Sequence, residues 1–297
     1  MDPVISVVIV NYNAGRFLSK CINSLLDCSL KTEIIVVDNA STDKSLHSIN
    51  TFSQVTIIRN KQNLGFSAGC NIGIKSANGN YVFFLNPDCI LSSESVSQLW
   101  SYLQAHDQVG MAGGLLVYPD GTEQGGGRRA IPTPWRTLVK TLGLTRFSSR
   151  WPHLFSDFHL HKQPLPKEPV EVEAISGACM LVKRDALEDV GLWDEGYFLH
   201  CEDLDYCMRF RKNGWKIMFL SQVKIVHEHG ACSKNRPFFV EWHKHKGMLR
   251  FYRKFFKQQY SYLLWSGVVL GVWCRFLVVS SYHLARLVLT KIGIKDS

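Results

Sequence analysis

The chain has 297 residues, of which 46% are hydrophobic, so it can bury a large core without the disulfides or metals that small domains need. Its formal net charge of +9 suggests an anionic partner: nucleic acid, phosphorylated small molecules or an anionic membrane face. The nine cysteines form no CxxC pair, which argues against a disulfide scaffold or a zinc ribbon and indicates reduced thiols in a cytosolic protein. The apolar stretch over residues 4–10 is too short for a signal peptide and predicts a first strand.

Strand-like runs alternate with helical patterns in the first third of the chain. The four runs, with their first residues, are VISVVIV at Val4, EIIVVD at Glu33, VTIIRN at Val55 and YVFFLN at Tyr81. Helical spacing follows the first and third runs, and a capping site at Ser41 and Thr42 predicts a short helix after the second. This alternation predicts a doubly wound α/β domain built on a parallel sheet.

The composition changes between Tyr118 and Pro169, where Gly and Pro are frequent and aromatic residues stand in a polar background. Such a long excursion inside a compact domain is usually functional. Order resumes with a predicted strand in VEAISGACMLVKR, followed by helices near 184–190 and 202–214. Two further strand-like runs, WKIMFL and VKIVH, close the domain.

Polar side chains follow the predicted strands at their carboxyl ends, where an open parallel sheet binds its ligands. These residues are Asn11, Tyr12, Asn13, Asp38, Asn86 and Asp88. The Asn-Pro-Asp sequence has a second interpretation as a simple turn, in which Asp88 caps a helix that starts near Ser92.

A dinucleotide-binding fold is the obvious competitor, and it requires G-x-G-x-x-G between the first strand and helix. Here the turn is NYNAGR, with one glycine. The phosphates of a ligand must therefore be neutralised in another way, and a divalent cation held by a carboxylate would do so.

Seven segments between Val4 and Ser233 resemble, in order, the blocks of family 2 glycosyltransferases, in particular the bacterial rhamnosyltransferase-like branch. They are SVVIVNYN, IIVVDNASTD, NLGFSAGCNIGI, FLNPD, SGACMLVKRDALEDVGLWDE, EDLDYCMRFRKNGW and VHEHGACS. One block is a weak signal, whereas seven in register are strong. The resemblance implies a GT-A fold with a mostly parallel, doubly wound sheet, and inverting transfer of a sugar from a nucleoside diphosphate donor to an acceptor hydroxyl. Together with the changes in composition along the chain, it predicts a catalytic domain over 1–240, with a nucleotide-sugar half (1–117) and an acceptor half (118–240), followed by a basic amphipathic helical extension (241–297).

The resemblance places the donor on residues that follow the first strands. They are Tyr12, Asn13, Asp38, Asn63, Gly65, Phe66 and Asn86. Tyr12 and Asp38 would hold the base and the ribose, and the run 63–66 would line the donor site. Asn86 stands where the family's D-x-D motif has its first acid, which lowers the charge of the metal site.

The resemblance also implies the chemistry of three acids and a histidine. Asp88, the last acid of the D-x-D motif, and His227 would bind Mg²⁺ or Mn²⁺, which neutralises the departing diphosphate. In EDLD the family's base falls on Asp203, with Glu202 beside it, and a carboxylate there would remove the acceptor proton. The alternative is that these acids favour the positive end of a helix, with Asp205 paired to an arginine four residues later. We assign Asp203 as base and keep the helix-end role for Asp205.

A zinc site is the alternative for the histidines and cysteines near the end of the domain. These are His200, Cys201, Cys207, His227, His229 and Cys232. No pair has structural-zinc spacing, and His227 and His229 in an extended strand point to opposite faces, so only one can face the crevice. The resemblance selects His227, and His229 is expected on the core or acceptor side. The small residues of SGAC would face the acceptor.

The last fifth of the chain is basic and apolar. After Glu241 the only acid is Asp296, against Lys244, Lys246, Arg250, Arg253, Lys254, Lys257, Arg275, Arg286, Lys291 and Lys295. Residues 260–274 are uncharged but shorter than the roughly twenty needed to span a bilayer, and Arg275 shares a helix face with Tyr282 and Arg286. We predict an amphipathic segment on the cytoplasmic face of an anionic membrane, with a kinked spanning helix and a buried helix pair as alternatives.

Three function hypotheses remain for comparison. The first is a Mg²⁺- or Mn²⁺-dependent glycosyltransferase that uses a dTDP- or UDP-linked sugar, with dTDP-rhamnose favoured by the resemblance, and a glycan or lipid-linked acceptor. The second is a non-catalytic sugar-nucleotide-binding or membrane scaffold subunit, and Asn86 is the only residue that supports it. The third, a nicotinamide-dependent dehydrogenase, is disfavoured by NYNAGR. Nucleic acid is not expected as a partner, because no standard nucleic-acid module is recognisable.

Overall fold

The computed structural model describes residues 4–47, 49–50, 52–228 and 236–291. The strands in these residues are β1 Ile5–Asn11, β2 Glu33–Asp38, β3 Val55–Arg59, β4 Tyr81–Leu85, β5 Cys89–Ile90, β6 Val109–Val117, β7 Arg128–Arg129, β8 Val170–Glu171, β9 Ala174–Ile175, β10 Cys179–Lys183 and β11 Lys216–His227. The α-helices are α1 Arg16–Leu26, α2 Phe66–Ser76, α3 Ser95–Ala105, α4 Pro134–Thr141, α5 Pro152–Phe155, α6 Arg184–Val190, α7 Glu202–Lys212, α8 Pro237–Phe255 and α9 Tyr262–Lys291.

The main sheet has the order β3-β2-β1-β4-β10-β6-β11-β5, with β8 on the outer side of β11. The four strands β3, β2, β1 and β4 are parallel, while β10 is antiparallel to both of its neighbours. Alternate residues of β1 enter two separate apolar clusters, one with α1 and α3 and the other with α2 and α7. Helices therefore cover both faces of the sheet, which explains why β1 is apolar at nearly every position.

The antiparallel strand β10 brings a later part of the chain to the crevice. Cys179 at its start pairs with Leu85 at the end of β4, so the preceding residues 176–178 lie beyond the carboxyl end of β4. The amide of Asn86 donates to the carbonyl of Ala178 at 2.9 Å, which fixes this junction. The SGAC segment consequently lies beside the Asn-Pro-Asp turn.

The short helix predicted after β2 is wrong, because the described residues there form turns. Side chains capture the backbone amides that a helix would use: Ser41 N–H donates to Asp38 Oδ2 at 3.1 Å, and Thr42 N–H donates to Asn13 Oδ1 at 2.7 Å. Such side-chain bonds compete with helix formation. The two strand-like runs predicted at the end of the domain are one strand, β11, with an irregular register inside it.

The excursion after β6 contains short elements, among them β7, α4 and α5. Helix α8 runs across the predicted boundary between residues 240 and 241 and holds the domain through Arg250, whose Nη2 is 2.7 Å from Asp194 Oδ1. His229, Cys232, Lys295 and Asp296, named in the sequence predictions, lie outside the described residues.

Helix α9 continues without a break through Arg275 and is long and apolar enough to cross a membrane. The most apolar part of Tyr262–Thr290 has a mean hydropathy of 1.8 and is not buried inside the protein. Arg275 does not interrupt the helix, because its guanidinium turns toward α8 and lies 2.9 Å from Nε2 of His245. The spanning and the interfacial interpretation of this helix stay predictions.

Candidate active site

The ends of β1 and β2 form a buried polar cluster. Asn11 and Asp38 are neighbours in the parallel register, and Asn11 Nδ2 donates to Asp38 Oδ1 at 2.7 Å. The amide nitrogen of Asn11 also lies 3.0 Å from the hydroxyls of Ser41 and Ser45. Asp38 is only 3% exposed and accepts from Asn11 Nδ2 and from the backbone amide of Ser41, which hold its carboxylate in one orientation at the crevice.

Tyr12 and Asn13 form the turn after β1. Asn13 adopts a left-handed backbone conformation with φ of 53°, which asparagine tolerates better than most residues. Tyr12 is partly exposed, and its hydroxyl lies 3.4 Å from Nη1 of Arg236, just before α8. The ring of Tyr12 therefore stands at the open side of the crevice with a cation near it.

The run 63–66 is fixed by its glycine. Gly65 has φ of 87° and ψ of 175°, a region that is essentially reserved for glycine. Its amide donates to Asn63 Oδ1 and its carbonyl accepts from Asn39 Nδ2, both at 2.9 Å. The amide of Phe66 then donates to the carbonyl of Phe198 at 3.0 Å. This turn ties the β2 end of the crevice to the segment that precedes α7.

Asp88 and His227 face each other at the buried end of the crevice. Nε2 of His227 lies 3.2 Å from Asp88 Oδ1 and 3.4 Å from the amide nitrogen of Asn86. Nδ1 of His227 lies 2.8 Å from Oε1 of Gln124, whose own amide nitrogen donates to the carbonyl of His227. With Oε1 of Gln124 as the acceptor, the contact suits the tautomer of His227 that carries its proton on Nδ1, and Nε2 is the ring nitrogen on the Asp88 side.

This pair fits a divalent cation. Asp88 Oδ1 and His227 Nε2 are buried and lie 3.2 Å apart, close enough to contact one cation together. Cys89 also lies in this cluster, whose three ligand atoms are within 4.8 Å of one another. Burial, aided by the charge of Asp88, raises the pKa of the Cys89 thiol, so the thiol stays protonated and is a poor metal ligand.

Asp203 lies at the start of α7 and is held by three donors. Its Oδ2 accepts from Arg129 Nη2 at 2.5 Å and from the amide of Gly177 at 3.3 Å, while Oδ1 accepts from the amide of Leu204 at 2.8 Å. The Asp203 side chain is 15% exposed. It is therefore both oriented and reachable.

Glu202 precedes Asp203 but has a different environment. It is buried, and its Oε2 has no hydrogen-bond partner among the described residues. Burial, with the adjacent charge of Asp203 adding to it, raises the pKa of Glu202 to about 8. Glu202 is thus mainly neutral at pH 7, whereas Asp205 forms the expected ion pair with Arg209 at 2.8 Å.

The turn before α7 is strained. His200 and Cys201 both have left-handed backbones, with φ of 68° and 70°. Each such residue costs about 1–3 kcal/mol and persists only where the surroundings enforce it. Helix α8 does so here, because Gly247 packs so closely that a Cβ on it would lie 2.7 Å from the carbonyl oxygen of His200. This turn leads directly into Glu202 and Asp203, the first two residues of α7.

The segment 176–178 lies between Asp88 on one side and Glu202 and Asp203 on the other. Gly177 contacts the Asp203 side, and a Cβ on it would lie 3.5 Å from Asp203 Cβ and 3.5 Å from the ring of Phe66. The next residue, Ala178, accepts from the amide of Asn86 on the Asp88 side. Asp88 and Asp203 therefore flank one short segment at the same edge of the sheet.

Two contributors to the site were not identified from the sequence. Arg129, which holds Asp203, and Gln124, which orients His227, both lie in the Gly-rich excursion. The arginine pair in GGGRR was the available signal, since buried arginines usually have an acidic partner. The roles of the residues predicted from the sequence stay predictions.

Comparison with known proteins gives the family. Residues 6–191 match the model described as Glycosyl transferase family 2. The N-acetylglucosaminyl-diphospho-decaprenol L-rhamnosyltransferase of Mycobacterium tuberculosis is 27% identical over 252 residues, which cover 80% of this chain and 79% of the relative. Rhamnosyltransferase WbbL of Escherichia coli K12 is 23% identical over 260 residues, covering 81% of this chain and 89% of the relative.

Solved structures show the fold. The mannosyltransferase PcManGT from Pyrobaculum calidifontis, in complex with GDP-Man and Mn²⁺, has a TM-score of 0.59 at 15% identity and covers all of this chain and 77% of its own. GalNAc-T7 with UDP, GalNAc and Mn²⁺ has a TM-score of 0.57 at 18% identity, covering 76% of this chain and 44% of its own. The predicted GT-A fold is confirmed, and because the family model covers more than half of the residues, the chain belongs to glycosyltransferase family 2.

Proposed function

We propose that the protein is an inverting, divalent-metal-dependent glycosyltransferase that moves a sugar from a nucleoside diphosphate to a hydroxyl of a glycan or lipid-linked acceptor. The observation that carries this proposal is the placement of the Asp88–His227 pair and the Asp203 carboxylate on the two sides of residues 176–178. Family membership supports the reaction class. The finer assignments depend on the site chemistry.

Asp203 is the general base of the proposal. Its carboxylate is partly exposed and fixed by Arg129, and it would take the proton from the acceptor hydroxyl as that oxygen bonds to the anomeric carbon. Burial raises the pKa of Glu202, which favours its neutral form and limits the negative charge beside the base. One base and one direct displacement lead to inversion at the anomeric carbon, without a nucleophilic carboxylate.

Asp88 and His227 hold the diphosphate side. A bound Mn²⁺ or Mg²⁺ would neutralise the charge that develops on the departing diphosphate. Asp88 supplies the carboxylate oxygen, His227 supplies Nε2, and Gln124 keeps the histidine in the required tautomer. Asn86 contributes an amide in place of a second acid, so the protein offers the cation one negative charge at this turn.

The donor nucleotide would lie along the ends of β1 and β2. Tyr12 offers a partly exposed ring for the base, and Asp38 offers a fixed acceptor for the ribose hydroxyls. The Asn13 side chain accepts a hydrogen bond from the backbone amide of Thr42 in the neighbouring loop. Residues 63–66 would form the other side of the donor pocket. These roles extend the family resemblance to the observed positions.

We assign dTDP-rhamnose as the first donor to test, with UDP-linked sugars as the second. The M. tuberculosis and E. coli relatives are named as rhamnosyltransferases, and the first of these acts on a diphospho-decaprenol acceptor by its name. A lipid-linked acceptor in cell-surface polysaccharide synthesis agrees with the apolar surface of α9. The proposed location is the cytoplasmic face of the membrane.

The test is transfer by the purified full chain with a panel of nucleotide sugars, with and without Mn²⁺ or Mg²⁺. Asp203→Asn and Asp88→Ala should each lower turnover at least a hundredfold while the thermal unfolding curve shows a folded protein. Near-normal turnover by Asp203→Asn would remove that residue as the base. Nucleotide-sugar binding without turnover by the wild type would favour the scaffold alternative.

A further inference from the structure

The excursion after β7 carries a surface of exposed apolar side chains that the proposed reaction does not use. In the segment 134–155, which includes α4 and α5, six large apolar residues are 38–60% exposed: Trp135, Leu138, Leu142, Phe147, Trp151 and Leu154. Three of the aromatic rings of this segment contact one another, with Trp151 6.1 Å from Phe155 and 6.5 Å from Phe147. We name these 22 residues, 134–155, the aromatic segment.

The aromatic segment is basic and has no acid. It carries Arg136, Lys140, Arg146 and Arg150. Arg136 is paired with Glu173 and Lys140 with Asp157, so Arg146 and Arg150 supply the positive charge of the exposed surface. The guanidinium carbons of Arg146 and Arg150 lie 4.8 and 5.2 Å from the centres of neighbouring rings. Exposed rings flanked by arginines are the composition of protein surfaces that enter the headgroup region of anionic membranes.

The aromatic segment lies next to the C-terminal helices. Thr137 Oγ1 is 2.7 Å from the hydroxyl of Tyr252 on α8, and α8 packs against α9. Burial lowers the pKa of the Lys140 ammonium, and the positive charge of Arg275 on α9 acts in the same direction. The outer side of α9 is apolar as well, with Leu263 81% exposed and Leu277 63% exposed. Two exposed apolar surfaces thus belong to neighbouring elements.

We infer that the aromatic segment is a second membrane-docking surface, which inserts its aromatic and leucine side chains among the headgroups of an anionic phospholipid bilayer beside α9. Apolar side chains gain from leaving water, and the arginines gain from the negative surface potential. The segment begins five residues after Arg129, which holds Asp203, so docking would bring the base to the lipid surface. This inference rests on the membrane association proposed above.

The test uses the full chain reconstituted in vesicles of phosphatidylcholine and phosphatidylglycerol whose acyl chains are brominated, which quench tryptophans that contact lipid. Trp151→Phe should remove a quenched component of the fluorescence. The matched control is Trp215→Phe, because Trp215 Nε1 is bonded to Asp189 at 2.9 Å at the far end of α7. Its removal should leave the quenched fraction unchanged.

A second variant measures the energetic contribution. Leu142→Gln combined with Leu154→Gln should weaken partitioning onto phosphatidylglycerol vesicles at least tenfold, whereas Leu192→Gln, at a leucine of similar exposure outside the segment, should not. Donor hydrolysis by both the double leucine variant and Leu192→Gln should match the wild type.

The outcomes separate the two proposals. A chain that stays off phosphatidylglycerol vesicles altogether would remove the membrane association proposed above, and the docking surface with it. A membrane-bound chain whose Trp151 is not quenched, or whose double leucine variant partitions normally, would overturn the docking surface alone. A change of oligomeric state in the leucine variant with normal vesicle binding would also overturn it, since that result would indicate contact with a second copy.

Discussion

Replacement of Glu202 by glutamine tests the electrostatics of the proposed active site. In the folded protein burial raises the pKa of Glu202 from the ordinary 4.5 to about 8, a rise of about 3.5 pH units, and each unit corresponds to about 1.4 kcal/mol. The titration of Glu202 can therefore change the free energy of unfolding by about 5 kcal/mol at most. It is large because the side chain is buried beside Asp203 and its Oε2 has no partner among the described residues.

The sign follows from proton binding. Between about pH 4.5 and pH 8 the folded state keeps a proton on Glu202 that the unfolded chain has lost, so the free energy of unfolding falls as the pH rises. Glu202→Gln removes this titration. The variant should lose about 1–3 kcal/mol at low pH, where its amide meets a site without a second partner, and should regain stability relative to the wild type toward pH 9.

The assay is denaturant unfolding of wild type and variant from about pH 5 to pH 9, with Glu202→Asp as the control that keeps a titratable carboxyl at the same position. The stability difference between wild type and Glu202→Gln should change by several kcal/mol over this range. Parallel curves would refute the argument that Glu202 is buried in its neutral form.

Activity gives the second measurement on the same variant. Because Glu202 is mainly neutral at pH 7, its replacement by a neutral amide should leave turnover within about tenfold of wild type, whereas Asp203→Asn should lose at least a hundredfold. The reverse pattern would make Glu202 the base and Asp203 its neighbour. The pair therefore distinguishes two acids that the sequence places side by side.

Much of the fold was predictable from the sequence because its signals are local. Continuous apolar runs predicted β1, β2, β3 and β4, and the helix predicted near 184–190 is α6. The GT-A fold followed from seven blocks in register. The failure after β2 is also instructive, since Ser41 and Thr42 are good capping residues whose amides are instead bonded by Asp38 and Asn13.

Contacts between residues that are distant in the chain could not be predicted from the sequence. Arg129 and Asp203 are 74 residues apart, and Gln124 and His227 are 103 apart, so neither contact leaves a periodic pattern. The tail shows the same limit. In the sequence, Arg275 was interpreted as an interruption of an apolar helix. In the structure its guanidinium contacts His245, 30 residues earlier, and α9 continues through it. A charged residue in an apolar stretch therefore predicts the end of a helix poorly when its partner lies on another element.

Two further substitutions probe the parts of the site that the sequence did not explain. Gln124→Ala should free the tautomer of His227 and lower Mn²⁺ affinity by about 10–100-fold, measured as the Mn²⁺ concentration that gives half of the thermal shift; an unchanged midpoint would contradict a metal role for this histidine. Gly65→Ala should cost at least about 3 kcal/mol, because φ of 87° excludes other residues and a Cβ would lie 2.6 Å from the carbonyl oxygen of Phe198. The matched control is Gly267→Ala in α9, where nothing lies within 4 Å and alanine favours the helix, so this variant should keep or gain up to about 1 kcal/mol. Equal unfolding free energies for the two alanine variants would show that the turn at residues 63–66 relaxes freely, and a donor pocket that relies on its rigidity would then have to be abandoned.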